Sequence, residues 1–276
     1  MEDALPKKIL EDASNKGFLL ELEIAEIFDK KDWFTRPNAR FLFNQEELEI
    51  DLLSHKSLIY NRNLKDGFDS LNLICSCKKN NENPWVFFLS DRRATDHIEN
   101  IIKGISNCDF NHIVGLESYR INFDKIKLSN KLNLDDFTTI ARTYCVSFAD
   151  SKAEKGKQIY KAITEILSYL RCQLKPEKEK YKRGNYIQKL NHLYIPLIVL
   201  EGRLFGINKE KEIKELDYLP LIVESGDETI GKVLIYVVKK EFINTFLEKI
   251  EKDHLELHNS FEKILFPPSE IPPETA

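Results

Sequence analysis

Apolar positions recur along this chain at two periods, near 3.6 and at 2, and the switches between them outline its elements. Leu20, Ile24, Ile27 and Phe28 recur at spacings of three and four and predict a helix over residues 17–31. An aromatic, β-branched strand follows over 33–43, with Pro37–Asn38 as a turn or bulge. Residues 47–55 alternate: Leu48, Ile50 and Leu52 on one face, Glu49, Asp51 and Leu53 on the other. After a loop at 61–70, strand 71–79 sets Leu71, Leu73, Cys75 and Cys77 against Asn72, Ile74, Ser76 and Lys78. The apolar run 84–90 reads as strand, and residues 93–105 read as helix from Ile98, Ile101, Ile102 and Ile105. A strand is expected at 142–150, then a helix over 154–174 with Ile159, Ile163, Ile166 and Leu170 as its seam. The charge run 175–186 reads as a loop. Strands 194–207 (bent at Glu201–Gly202), 218–225 and 232–241 precede an amphipathic helix over 242–261. The proline-rich tail 267–276 is expected to be disordered, and residues 1–266, free of internal repeats, to form a single α/β domain.

Composition changes this picture little. The 276 residues are 42% hydrophobic and 31% charged with a formal net charge of −4, a balance that demands no polyanionic partner but allows a local basic groove. No apolar window is long enough to cross a membrane, and acids and lysines fill the start of the chain where an export signal needs an apolar core. Five cysteines without paired spacing favour free thiols, so a cytoplasmic protein is expected. Cys75 and Cys77, one residue apart, suit core packing better than zinc ligation.

The end of strand 71–79 raises the chemical question. An apolar run closes with a hydroxyl and an ammonium on one face, and a lysine is rarely buried without a partner. Glu21 on the first helix, Asp51 on the acidic strand "EIDLL", and Ser76 and Lys78 in "SCK" follow in order. This arrangement resembles the core of the PD-(D/E)XK, or restriction-endonuclease-like, nuclease superfamily. "ELEIAEIFDKKDWF" is similar to the first helix of archaeal Holliday-junction resolvases and type IV restriction endonucleases. Glu21 and Ala25 match the spacing there, while Asp32–Trp33 stands where glycine-aromatic is usual. The resemblance covers residues 17–90 and includes "NPWVFF" after the third strand.

The resemblance implies a restriction-endonuclease-like α/β/α core with a central mixed sheet, extended by the C-terminal strands and helices. It implies metal-dependent hydrolysis of phosphodiester bonds in DNA, with Mg²⁺ or Mn²⁺ as cofactor. Asp51, Lys78, Glu21 and Ser76 would be the catalytic positions. The metal would be held by Asp51, by the backbone carbonyl of Cys77 and by a second carboxylate, and Lys78 would orient or deprotonate the attacking water. Ser76 stands where the superfamily carries Asp or Glu. Glu49, two residues before Asp51 on the same face, or Glu21 could supply the missing charge; Glu23 matches less well. Homodimers are common among such relatives, since cutting two strands suits two sites, and strands 194–205 and 218–225 could build a dimer surface. The alternative is a non-catalytic member that binds nucleic acid or protein.

Other features read as ordinary surface. His254 and His258 share an i, i+4 spacing used by zinc helices, but no Glu follows the first and a solvated face is expected. Lys178, Lys180, Lys182 and Arg183 with Tyr181 and Tyr186 could contact phosphates, although Glu177 and Glu179 dilute the run. Arg36 reads as a surface strand-end residue that could also touch DNA.

Overall fold

The computed structural model describes residues 4–15, 17–59, 68–90, 140–146, 156–182, 190–228 and 230–265. Helices α1 (Ala4–Asn15) and α2 (Phe18–Asp29) lead into strands β1 (Phe34–Phe43), β2 (Glu46–Ile59), β3 (Phe68–Ser90) and β4 (Ile140–Val146). Helix α3 (Lys157–Lys182) is followed by β5 (Leu190–Ile207), β6 (Ile213–Glu215), β7 (Tyr218–Glu224) and β8 (Lys232–Lys239), and a 3₁₀ turn opens α4 (Ile243–Leu265). The helix expected at 93–105, most of the loop at 61–70 and the tail at 267–276 lie outside the described residues.

The eight described strands form one mixed sheet, ordered β1-β2-β3-β4-β7-β8-β5-β6, with β3 also paired to β5. Strand β3 is its spine. The runs 71–79 and 84–90 are two halves of this one 23-residue strand, not separate strands. One edge of β3 pairs antiparallel with β2 through Phe68–Cys75 and then with β4 through Trp85–Ser90. Its other edge runs parallel to β5. The pairings β3–β4–β7–β8–β5–β3 close on themselves, the β4–β7 link being the single pair Ala141–Leu221.

Alternation along these strands supplies two cores. On one face Leu71, Leu73, Cys75 and Cys77 pack with Leu20, Ile24 and Phe28 of α2 and with Phe246, Leu247 and Ile250 of α4. On the other, Ile74, Trp85 and Phe87 pack with Ile159, Ile163, Ile166 and Leu170 of α3, the seam read from the sequence. Helix α3 continues past the expected end at 174 to Lys182, through Pro176, so the loop reading of 175–186 fails as far as residue 182. Glu, Lys and Tyr after the proline are competent helix formers, and one missing N–H does not stop them. Among the described residues no helix is long and apolar enough to cross a membrane.

At Glu201–Gly202, where a bend is expected, the β3–β5 register shifts and the position has room only for glycine. Gly202 pairs with Asn80 across β3–β5, and a Cβ at that position would run into the Asn80 carbonyl oxygen. Backbone cannot move aside as a flexible side chain can. Gly202→Ala should therefore cost about 2–3 kcal/mol, read as a lower denaturant midpoint with unchanged slope.

Candidate active site

Strand β2 changes character at Asp51. Ile50 and Leu52, expected on one face, belong to opposite cores, and pairing with β1 lapses between them, opposite Asn38. Asn38 carries a positive φ of 48°, which its short polar side chain tolerates, so Pro37–Asn38 does mark an irregularity. The β2–β3 ladder also stops here, its last pair being Leu52–Cys75. Beyond that pair the Asp51 carboxylate takes over from backbone. Its Oδ2 accepts the Cys77 N–H at 2.6 Å. In an extended strand the N–H and C=O of one residue point to the same edge, so the Cys77 carbonyl opens toward the same gap.

Three further groups meet at that gap. Lys78 Nζ lies 3.2 Å from Asp51 Oδ2 and 3.5 Å from Oε2 of Glu165, which α3 brings from the facing core. The Ser76 hydroxyl, fully buried, lies 3.1 Å from the same Asp51 oxygen and 3.3 Å from the same Glu165 oxygen. With one proton it can donate to only one of them at a time. The lysine thus sits between two carboxylates, and all three side chains are only 15–16% exposed. Burial pushes the Lys78 pKa down, but Asp51 and Glu165 more than offset it and hold the group above its ordinary value. Lys78 is therefore an ammonium at neutral pH.

Glu21 approaches from α2. Its carboxyl is pushed up to about 7, first by burial and then by the Asp51 carboxylate, with Glu49 adding and Lys78 opposing. One lysine does not neutralise this many acids. A carboxyl raised in the folded state keeps its proton where the unfolded chain has lost it, so stability falls as pH rises from about 4.5 to about 7. Glu21→Gln should remove that fall and raise the melting temperature at pH 8 relative to wild type. Solvent screening of a half-buried group keeps the gain within about 1 kcal/mol.

Asp51, Ser76, Lys78 and the Cys77 backbone are thus brought together, with Glu21 in electrostatic reach. Glu49 is not brought to Lys78: it lies opposite Arg40 on β1 and pairs with it at 3.5 Å, largely in solvent. Glu23 turns away to Lys240, which also reaches Glu201. Arg36 is exposed on β1. Cys75 and Cys77 are buried thiols with sulfurs 3.8 Å apart, and this contact together with burial raises the Cys77 pKa, so they are packing groups. Glu165 escaped the sequence reading. It lies 87 residues from Lys78, and its only signal is its place beside the buried seam residue Ile166.

The donors at the gap are all hard oxygens, which suits Mg²⁺ or Mn²⁺. Among the described residues no three His, Cys, Asp or Glu side chains stand close enough to enclose an ion. Magnesium commonly takes only one or two carboxylates, with water and substrate phosphate for the rest, so the donor set fits.

Comparison with protein-family models, curated proteins and solved structures returns no match. The reading of function rests on this geometry and on the motif order.

The two α4 histidines correct the sequence reading. His254 and His258 are both 6% exposed, not on a solvated face. They continue the stripe Phe246, Leu247, Ile250 at helical spacing and point to the sheet. His258 Nδ1 lies 2.6 Å from Oδ2 of the buried Asp69 at the start of β3.

Proposed function

We propose that the chain is a restriction-endonuclease-like nuclease that hydrolyses phosphodiester bonds in DNA with the help of Mg²⁺ or Mn²⁺. The observation that carries this reading is the meeting of Asp51 and Lys78, from adjacent strands, 3.2 Å apart where the β2–β3 ladder ends. The superfamily likeness of residues 17–90 supports it through motif order.

Asp51 and the Cys77 carbonyl would hold the cation. Bound there, it would polarise the phosphoryl oxygen and acidify a water. Lys78, kept as an ammonium, suits stabilising the charge that develops on the phosphate, and is a poor base while it stays so. Glu21, the other carboxyl within electrostatic reach of Asp51, would be the group to accept a proton from that water.

A second reading has its own support: Lys78 already satisfies Asp51 and Glu165, so the cluster can stand without an ion, as in a binding module that has lost catalysis. Incubating the full chain with duplex, four-way-junction and single-stranded DNA, with Mg²⁺ or Mn²⁺ and with a chelator, separates the two. Chelator-sensitive cleavage of at least one form is the expected result. Retained DNA without cuts in any form would leave the binding module.

A further inference from the structure

We propose that Glu165 is the second carboxylate of the site, carrying from helix α3 the charge that the motif lacks at Ser76. This rests on the nuclease reading above and names a residue the motif does not. A solvated helix glutamate has no reason to be 16% exposed, and Glu165 turns inward at the edge of the α3 seam. Its Oε2 reaches Ser76 and Lys78, while Oε1 is 3.7 Å from the exposed Lys161 one turn away. The same oxygen therefore faces the group whose identity departs from the motif.

The exchange is reciprocal. An acid at position 76 would place a carboxylate against both Asp51 and Glu165 in a site where burial already makes like charges costly. Serine is small, fits at zero exposure and offers one proton to either oxygen. Strand and helix thus contribute one acid between them, and Lys78 keeps two carboxylate partners.

The test uses the full chain and two readouts, Mn²⁺ binding followed by electron paramagnetic resonance, and cleavage of DNA. Glu165→Gln should weaken Mn²⁺ binding at least about tenfold, the least that losing even an outer partner of a metal ligand typically costs. Ser76→Glu in the Glu165→Gln background should restore binding to within about threefold of wild type, whereas Ser76→Glu alone should gain nothing. Should Glu165→Gln not fold, Glu165→Asp, which keeps the charge but withdraws it, should weaken binding in the same direction. If Glu165→Gln binds Mn²⁺ and cuts as wild type does, the Glu165 inference is overturned and the nuclease reading stands. If the binding exchange occurs but no protein cuts DNA, the nuclease reading falls and Glu165 keeps its role. Absence of Mn²⁺ binding by the wild type overturns the inference.

Discussion

Asp51→Asn should reduce metal-dependent DNA cleavage by at least about a hundredfold, and Lys78→Met by a similar factor, because the first removes the carboxylate that would hold the cation and the second the ammonium placed toward the reacting phosphate. Their effects on stability should differ. Asparagine keeps an oxygen for the Cys77 N–H, and Lys78 keeps Glu165, so Asp51→Asn leaves the buried groups paired. Methionine at 78 leaves Asp51 and Glu165 facing one buried hydroxyl without the ammonium between them, at a cost of about 1–3 kcal/mol in metal-free solution. Added Mg²⁺ should recover part of that loss by binding the folded state. If Asp51→Asn cuts within a few-fold of wild type, the observed cleavage does not come from this site.

The metal-free stability of the two variants also separates a site from a structural ion pair. In a purely structural network both substitutions would destabilise. Where acids crowd for a purpose, removing one relieves the others. Asp51 is the largest charge acting on Glu21 after burial, so Asp51→Asn should let the Glu21 carboxyl fall back toward its ordinary range.

Local pattern carried most of the framework. The α2 and α3 stripes and the alternation in β3 predicted which residues are buried, because each element needs only its own period to choose a face. Asp51 and Lys78 were brought to one site in the sequence only by the motif order of the superfamily resemblance. What escaped were features set by contacts distant in sequence. The split of Ile50 and Leu52 between two cores depends on β2 leaving both neighbours at once. Glu49 shares a strand with Asp51, yet Arg40 on β1 claims it, and only pairing register reveals that. Glu165 becomes visible only when α3 crosses the sheet. The run after Pro176 shows the opposite error: a charge run was read as a loop although its Glu and Lys are helix formers.

The histidine pair of α4 offers a test of the fold itself. His254 is buried, and its Nε2 has no hydrogen-bond partner among the described residues. Its pKa is pushed down to about 4, first by burial, with His258 and Lys56 adding and Asp69 opposing. The folded state therefore refuses a proton that the unfolded chain accepts below about 6.5. The His254 contribution to stability is flat above that pH and falls as pH drops from about 6.5 to about 4, by about 3 kcal/mol, against the opposite slope that Glu21 adds between about 4.5 and about 7. His192 on β5 is shifted down as well, by burial and then by His55, and bends the wild-type curve the same way as His254. Asp69, His192 and Glu21 are common to wild type and variant, so the difference between their curves reports His254 together with its coupling to His258 and Asp69. His254→Leu, close in volume and with no polar atom to satisfy, should match or exceed wild type at pH 7 and lose much less on acidification. Chemical denaturation at half-unit steps from pH 7.5 to pH 4 would measure both curves. A variant that loses stability in parallel with wild type across that range would mean that His254 takes up its proton in the folded protein, and that α4 does not seal it against the sheet.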